Sequence, residues 1–136
     1  GIPQACWVAD LMNLPMIYIR GKAKDHGKQN QIEGKLVSGQ KVVVIEDLIS
    51  TGGSSLKAVE AIRKDGSEVL GMIAIFSYGF PVAEQQFKAA KVKLTVLCNY
   101  EAVLTEALAT KYINEDDMET LAERRINPYD WKKELK

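Results

Sequence analysis

The chain has 136 residues, of which 46% are hydrophobic, enough to bury the core of one domain over residues 1–136. Eighteen basic and eighteen acidic side chains cancel, so no strong net field favours nucleic acid or an anionic membrane, and a bound anion must be held by local donors. No apolar run approaches the roughly 20 residues that span a bilayer, which argues against a membrane partner.

The first predicted elements lead into a long loop. Residues 3–13 have helical periodicity, and residues 16–20 are typical of a short buried strand. Between residues 21 and 40 the periodicity vanishes and glycine recurs, which predicts a functional loop because ordinary connections are much shorter. Residues 41–45 form a β-branched run, as expected of a strand that is buried on both faces of a parallel sheet.

The rest of the chain alternates helices and strands. Helices are predicted over residues 54–64, 82–90 and 101–110, strands over 69–76 and 92–97, and one more short helix after residue 114. This order predicts parallel βαβ units with right-handed crossovers. The fold class is therefore α/β: an open, mostly parallel sheet with helices on both faces. Because four strands are few for such a sheet and the chain opens on Gly-Ile-Pro-Gln, we expect the first strands to be missing.

The two cysteines, Cys6 and Cys98, match neither a zinc-binding nor a redox spacing. Both lie among apolar neighbours, which predicts reduced thiols buried in the core. Reduced thiols suit a cytoplasmic protein.

The most informative segment, residues 42–55, is VVVIEDLISTGGSS. Its strand should deliver Glu46 and Asp47 to the carboxyl edge of the sheet, where open α/β sheets bind ligands. The turn at residues 50–53 then opens a helix, and backbone N–H groups in such a turn form a cradle for an anion. Because carboxylates repel phosphate, the two acids should face hydroxyl groups of the same ligand. A sugar phosphate satisfies both requirements.

Other interpretations of this segment fit less well. A Walker A loop needs a lysine directly after its last glycine, and a dinucleotide fingerprint needs G-x-G-x-x-G after a strand; neither pattern is present here. The structural alternative is a serine-capped helix that follows two solvated acids.

The same segment resembles the phosphoribosyl diphosphate (PRPP) binding motif of the type I phosphoribosyltransferases. That motif is a hydrophobic strand, two acids, two further residues and a Ser/Thr-rich glycine turn. The resemblance implies that the two acids bind the ribose hydroxyls and that the turn binds the 5-phosphate. The PRPP-binding residues that it implies here are Glu46, Asp47, Leu48, Ile49, Ser50, Thr51, Gly52, Gly53 and Ser54.

A second segment, YIRGKAKDHG at residues 18–27, resembles the mobile catalytic loop of orotate phosphoribosyltransferases, whose signature is R-x-x-x-K-D-H-G. Arg20, Lys24 and His26 take the signature positions. The resemblance implies that all three contact PRPP, with Lys24 as the main catalytic residue. Cations on a closing lid stabilise the charge of a leaving pyrophosphate and expel water. The alternative for these residues is a solvated charged loop.

The resemblance also implies a homodimer, in which the loop from Arg20 to Gly34 closes over the active site of the partner subunit. Two positions depart from the family pattern. Gly21 stands where many members have a second lysine, for which Lys22 is the nearest substitute. Residues 77–80 are SYGF, where some members have an arginine that binds the orotate carboxylate. Ser50 occupies the motif position that contacts orotate in relatives, so the resemblance implies Ser50 as the one orotate-binding residue that we predict.

Together the two motifs indicate an orotate phosphoribosyltransferase that makes orotidine 5′-monophosphate in pyrimidine synthesis. The chain would be the C-terminal two-thirds of that fold, without its N-terminal hood, and poorly active alone. Mg²⁺ should arrive chelated by PRPP and mostly water, so we predict no protein metal ligand. The alternatives are a phosphoribosyltransferase for another nucleobase and a non-catalytic PRPP-binding regulatory domain. The KDHG loop disfavours the first, and the balanced charge disfavours a DNA-binding repressor.

Overall fold

The structure, a computed structural model, describes residues 1–21 and 31–126. Its elements run in the order α1 (Ile2–Met12), β1 (Tyr18–Ile19), β2 (Ile32–Glu33), β3 (Lys41–Ile49), α2 (Gly53–Lys64), β4 (Glu68–Ser77), α3 (Pro81–Ala89), β5 (Leu94–Asn99), α4 (Tyr100–Ala109) and α5 (Glu115–Ile126). Strands β3, β4 and β5 form a parallel sheet in that order. The predicted α/β class and the alternation of helices and strands are confirmed.

One face of the three-stranded sheet carries the hydrophobic core. Met72 and Ala74 of β4 lie on this face with Val59 of α2 and Phe87 of α3, and all four are buried. Arg63 ties the two helices together, because its guanidinium donates to the carbonyls at the end of α3, at 2.7 Å to Ala90. Full burial of a side chain as large as Val59, Met72 or Phe87 stabilises the fold by about 1.5–3 kcal/mol. We call this the closed face.

The opposite face of the sheet, which we call the open face, stays accessible in the part of the chain that the structure describes. Ile73 is 39% exposed and Leu97 is 72% exposed, although both lie in strands whose neighbouring residues are buried or half-buried. The prediction that the strand at residues 41–45 is buried on both faces is also wrong, because Val43 is 46% exposed. A β-branched run reports that a strand is apolar, and it does not report whether both faces are covered.

Three further predictions about the first half of the chain need correction. The strand expected at residues 16–20 is reduced to β1, and it pairs antiparallel with β2 instead of joining the main sheet. The strand β2 lies inside the region that was predicted to be loop throughout. Strand β3 continues to Ile49, four residues past its predicted end, because its backbone keeps its register with β4 as far as Ser77.

The cysteine prediction is half correct. Both thiols are free, but Cys6 is exposed and Cys98 is only half-buried, so neither lies in the core. Cys6 belongs to α1, which has no buried residue. An apolar helical segment therefore did not indicate burial here.

The last two helices begin with side-chain caps. The Asn99 side chain accepts a hydrogen bond from the Ala102 N–H at 2.9 Å at the start of α4. Asn114 and Asp117 cap α5 reciprocally, each side chain accepting from the other's backbone N–H, at 2.9 and 3.1 Å. The acidic run therefore serves as a helix start. In the described ranges, no helix is long and apolar enough to cross a membrane.

Candidate functional site

The site lies where β3 leads into α2. Glu46 and Asp47 lie in the second half of β3, with Glu46 opposite Ala74 of β4. Since successive side chains of a strand point to opposite faces, Glu46 falls on the closed face with Ala74, and Asp47 falls on the open face. The two neighbouring acids therefore have different surroundings.

Glu46 is held in place by the first turn of α2. The Ser55 hydroxyl donates to Oε1 of Glu46 at 2.9 Å, and Ser55 is only 3% exposed. The Glu46 side chain is 21% exposed. Oε1 is thus bound by the Ser55 hydroxyl, and Oε2 lies 3.2 Å from the N-terminal ammonium of Gly1.

Asp47 is more accessible, with its side chain 60% exposed. Its Oδ1 accepts a hydrogen bond from the backbone N–H of Leu48 at 2.9 Å. Burial raises the pKa of Asp47, but backbone N–H donors at Asp47 and Leu48 and the nearby positive charge of Gly1 together outweigh it, so the net pKa lies below 3.8. Asp47 is therefore an anion, and a hydrogen-bond acceptor, throughout the physiological pH range.

Both carboxylates form an ion pair with the first residue of the chain. The N-terminal ammonium of Gly1 lies 3.2 Å from Oε2 of Glu46 and 3.3 Å from Oδ1 of Asp47. Gly1 packs so tightly on β3 that an added Cβ would collide with the carbonyl oxygen of Ile45 and the Cα of Glu46. Two neighbouring carboxylates near the end of a strand can accept hydrogen bonds from a ligand with adjacent hydroxyl groups, such as the 2′ and 3′ positions of a ribose.

The turn between β3 and α2 is shaped by two glycines with different surroundings. Gly52 has φ 87°, in the left-handed region, and a Cβ there would lie 2.8 Å from the ring of Phe87. Gly53 faces open space, since a Cβ there would meet no atom within 4 Å. Only glycine combines the left-handed backbone with the close ring contact at Gly52, and Gly53 leaves room for a ligand beside the helix.

The N-terminus of α2 has the features of an anion site. Its N-cap makes no side-chain hydrogen bond, its first turn has no acidic residue, and its last turn contains Arg63 and Lys64. The first N–H groups of a helix have no partner within the helix, and the helix dipole favours negative charge at this end. A phosphate in this turn would receive backbone N–H donors directly.

The structure also describes the other residues of the predicted PRPP motif. Ser50 and Ser54 are exposed, Thr51 is half-buried, and Leu48 is exposed. Ile49 is fully buried in the core, and its carbonyl accepts a hydrogen bond from the Tyr78 N–H at 3.1 Å. Its side chain is therefore turned away from a ligand, although the residue lies within the motif.

Of the three predicted loop cations, Arg20 alone falls within the described residues. Lys24 and His26 lie outside them. The Nε of Arg20 is 2.9 Å from Oε1 of Glu33, with the two side chains 40% and 27% exposed. This ion pair joins the two strands that flank the loop, a partnership that the loop signature did not indicate.

Aromatic rings gather at the end of β4, where the sequence has SYGF. The Tyr78 ring stacks on Phe80 at a centroid distance of 5.3 Å and contacts Phe76 and Tyr100 at 5.1 and 5.7 Å. Together with the bond from its N–H to Ile49, these contacts place Tyr78 beside the start of the turn. Tyr78 was not a predicted site residue. The signal for Ser55 was its place in the first helical turn, at the end of the segment 42–55.

A magnesium ion that enters with a diphosphate ligand fits these residues. No group of three or more histidine, cysteine, aspartate or glutamate side chains that could hold a metal ion is present among the described residues. Glu46 and Asp47 are the acids nearest to the turn, and they could reach such an ion through its water ligands, as Mg²⁺ usually retains several waters.

The fold and the site define an α/β domain with two neighbouring carboxylates and an uncapped helix start at the carboxyl edge of a parallel sheet. Residues 1–111 match the family model of the phosphoribosyl transferase domain, and the chain belongs to this family.

Named relatives lie within the same family. The chain is 61% identical over 133 residues to an orotate phosphoribosyltransferase of Cytophaga hutchinsonii, covering 98% of this chain and 64% of that protein. It is 65% identical to the Bacteroides fragilis enzyme of that name, over 96% of this chain and 61% of the relative. The chain thus spans about three fifths of the length of these relatives. The crystal structure of orotate phosphoribosyltransferase from Aeropyrum pernix superimposes with a TM-score of 0.68 at 29% identity, covering 78% of this chain and 59% of that one.

Proposed function

We propose that this chain is the PRPP-binding part of an orotate phosphoribosyltransferase, which transfers the phosphoribosyl group of PRPP to orotate in pyrimidine biosynthesis. The observation that carries the proposal is the placement of Glu46 and Asp47 in β3 directly before the uncapped N-terminus of α2, with Glu46 held by the Ser55 hydroxyl of that helix. The choice of orotate is supported by identities of 61% and 65% to enzymes of that name and by the KDHG loop signature.

In the proposed complex, the turn at residues 50–54 binds the 5-phosphate of PRPP. Its donors are backbone N–H groups at the start of α2 and the exposed hydroxyls of Ser50 and Ser54. Glu46 and Asp47 accept hydrogen bonds from the 2′ and 3′ hydroxyls, each of which is a donor to a charged oxygen and so gives a strong bond. Ser50 also contacts orotate, because it stands between the phosphate turn and the end of the strand.

In the proposed reaction, the bond from ribose C1 to the pyrophosphate oxygen breaks and a bond from N1 of orotate to C1 forms. The electron pair of the broken bond leaves with pyrophosphate, and the N1 proton is released to solvent. Lys24, Arg20 and His26 supply positive charge and donors to the departing pyrophosphate. Mg²⁺ bound to PRPP neutralises part of the diphosphate charge. Arg20 must exchange its contact with Glu33 for one with the ligand.

We also propose a cytoplasmic homodimer in which the loop from Arg20 to Gly34 reaches the partner's active site. The apolar residues on the surface of α1 support an interface, since Trp7 is 66% exposed and Leu11 is 86% exposed. Large apolar side chains that cluster on a surface commonly mark protein–protein contacts.

The test is a calorimetric titration of the chain with PRPP and Mg²⁺, beside a double variant with Glu46→Gln and Asp47→Asn. We expect saturable binding that the double variant loses. Orotidine 5′-monophosphate formation is then measured, with adenine and hypoxanthine as competing acceptors, on the chain extended to the length of its relatives. PRPP binding without turnover would indicate a regulatory domain, and turnover of adenine or hypoxanthine would overturn the orotate assignment.

A further inference from the structure

Ser55 differs from the rest of the glycine turn because it is buried. It lies in the first turn of α2 at 3% exposure, whereas Ser50 and Ser54 are exposed. A hydroxyl that is buried needs a hydrogen-bond partner, because an unsatisfied buried polar group costs free energy. The partner of Ser55 is Oε1 of Glu46, at 2.9 Å, nine positions earlier in the chain.

We propose that Ser55 is a positioning residue that fixes the Glu46 carboxylate for ribose binding. This inference rests on the proposed function and adds to it a residue that contacts no ligand. A glutamate side chain has several rotatable bonds, and fixing it on ligand binding costs rotamer entropy. The hydrogen bond from Ser55 holds Oε1 in place before the ligand arrives, so that less rotamer entropy is lost when the carboxylate binds a ribose hydroxyl.

The position of Ser55 also links the two halves of the site. The phosphate turn and Ser55 belong to the same helix start, while Glu46 belongs to the strand. The contact between them therefore sets the distance between the ribose acceptor and the phosphate donors, which PRPP must bridge at a fixed length. Within the described ranges Asp47 receives no hydrogen bond from α2, and its carboxylate instead accepts one from the neighbouring Leu48 N–H.

A second buried serine provides a matched control. Ser67 is 6% exposed, and its hydroxyl donates to the carbonyl of Val37 at 3.3 Å. It directly precedes β4, so it lies at the opposite end of the parallel strands from the turn. Replacement of either serine by alanine removes one buried hydroxyl and one hydrogen bond. Both variants should lose a similar amount of thermal stability, but only Ser55→Ala should affect PRPP.

The experiment is a calorimetric titration with PRPP and Mg²⁺ of the chain and of the variants Ser55→Ala, Ser67→Ala, Glu46→Gln and Ser55→Ala/Glu46→Gln. We expect Ser55→Ala to raise the Kd of PRPP about fivefold, in line with one net hydrogen bond. Ser67→Ala should leave the Kd unchanged. In the Glu46→Gln background, loss of the hydroxyl should change the Kd less than about twofold, because residues that act through one contact are not additive. Ser55→Thr, which keeps the hydroxyl, should recover most of the affinity.

Two outcomes distinguish failure of the inference about Ser55 from failure of the proposed function. If the unmodified chain binds PRPP and Ser55→Ala binds it equally well, or its effect adds fully to that of Glu46→Gln, Ser55 has only a structural role and the inference fails alone. If the unmodified chain does not bind PRPP, the proposed function and the inference about Ser55 both fail. A Ser55→Ala variant that does not fold is replaced in the cycle by Ser55→Cys, which keeps the volume of the side chain and weakens the donor.

Discussion

The two faces of the central sheet are built from similar residues and have opposite surroundings. On the closed face, Met72 and Ala74 pack under α2 and α3. On the open face, Ile73 and Leu97 remain accessible within the described residues. The comparison matters for function because the two acids of the site divide between these faces. Glu46 is fixed by a helix on the closed face, and Asp47 is solvated on the open one.

The largest expected effect is on the core of the closed face. Met72→Ala removes a side chain that is 1% exposed and should lower the free energy of unfolding by about 2–5 kcal/mol, from lost burial and the cavity that remains. The matched change Ile73→Ala, at 39% exposure, should cost less than half as much. Urea unfolding of both variants measures the difference. Equal losses would show that the open face is covered in solution.

The glycine turn provides the next comparison. Gly52→Ala should destabilise the chain by about 1–3 kcal/mol, because an L-residue is strained at positive φ and the Cβ would press on Phe87. Gly53→Ala, whose Cβ would meet open space, should leave stability near its original value and still weaken PRPP binding by filling the space beside the helix. Thermal unfolding and PRPP titration of both variants separate the two roles. The prediction fails if Gly53→Ala is the more destabilising change.

The two acids should contribute unequally to PRPP binding. Glu46→Gln removes a fixed charge on the closed face and should raise the Kd of PRPP about tenfold, the difference between a charged and a neutral acceptor. Asp47→Asn should raise it only about threefold, because a solvated charge is screened and its hydrogen bond competes with water. Parallel titrations at one salt concentration provide the test. A reversed order would mean that the exposed acid is the main ribose acceptor.

The smallest effect concerns pH. The pKa of Asp47 in the folded chain is lowered from 3.8, so the folded state binds this proton less readily than the unfolded state does. The resulting stabilisation is fully present above pH 3.8 and is lost as the pH falls through the lower folded pKa. Unfolding curves between pH 2 and 7 should therefore show that the free energy of unfolding falls less steeply toward acid pH for Asp47→Asn than for the unmodified chain. Identical curves would show that the shift contributes nothing to stability.

Local patterns in the sequence were sufficient for the alternation of strands and helices after residue 41 and for the location of the candidate site. β-Branched runs that alternate with amphipathic segments predicted the α/β class, and the parallel register of β3, β4 and β5 confirms it. The acidic pair and the glycine turn were recognised because the end of the strand and the start of the helix both lie within the 14 contiguous residues 42–55. A site whose residues are neighbours in the chain can be recognised from the sequence alone.

Only the tertiary structure decided what depends on contacts between separate elements. The pairing of β1 with β2, the ion pair from Arg20 to Glu33, and the exposure of Cys6 all depend on where distant segments pack. The bond from Ser55 to Glu46 is of the same kind, since it joins a helix to a strand across the turn. A sequence determines which residues are apolar, charged or free to turn, whereas burial and partner choice follow from the three-dimensional packing that the whole chain adopts.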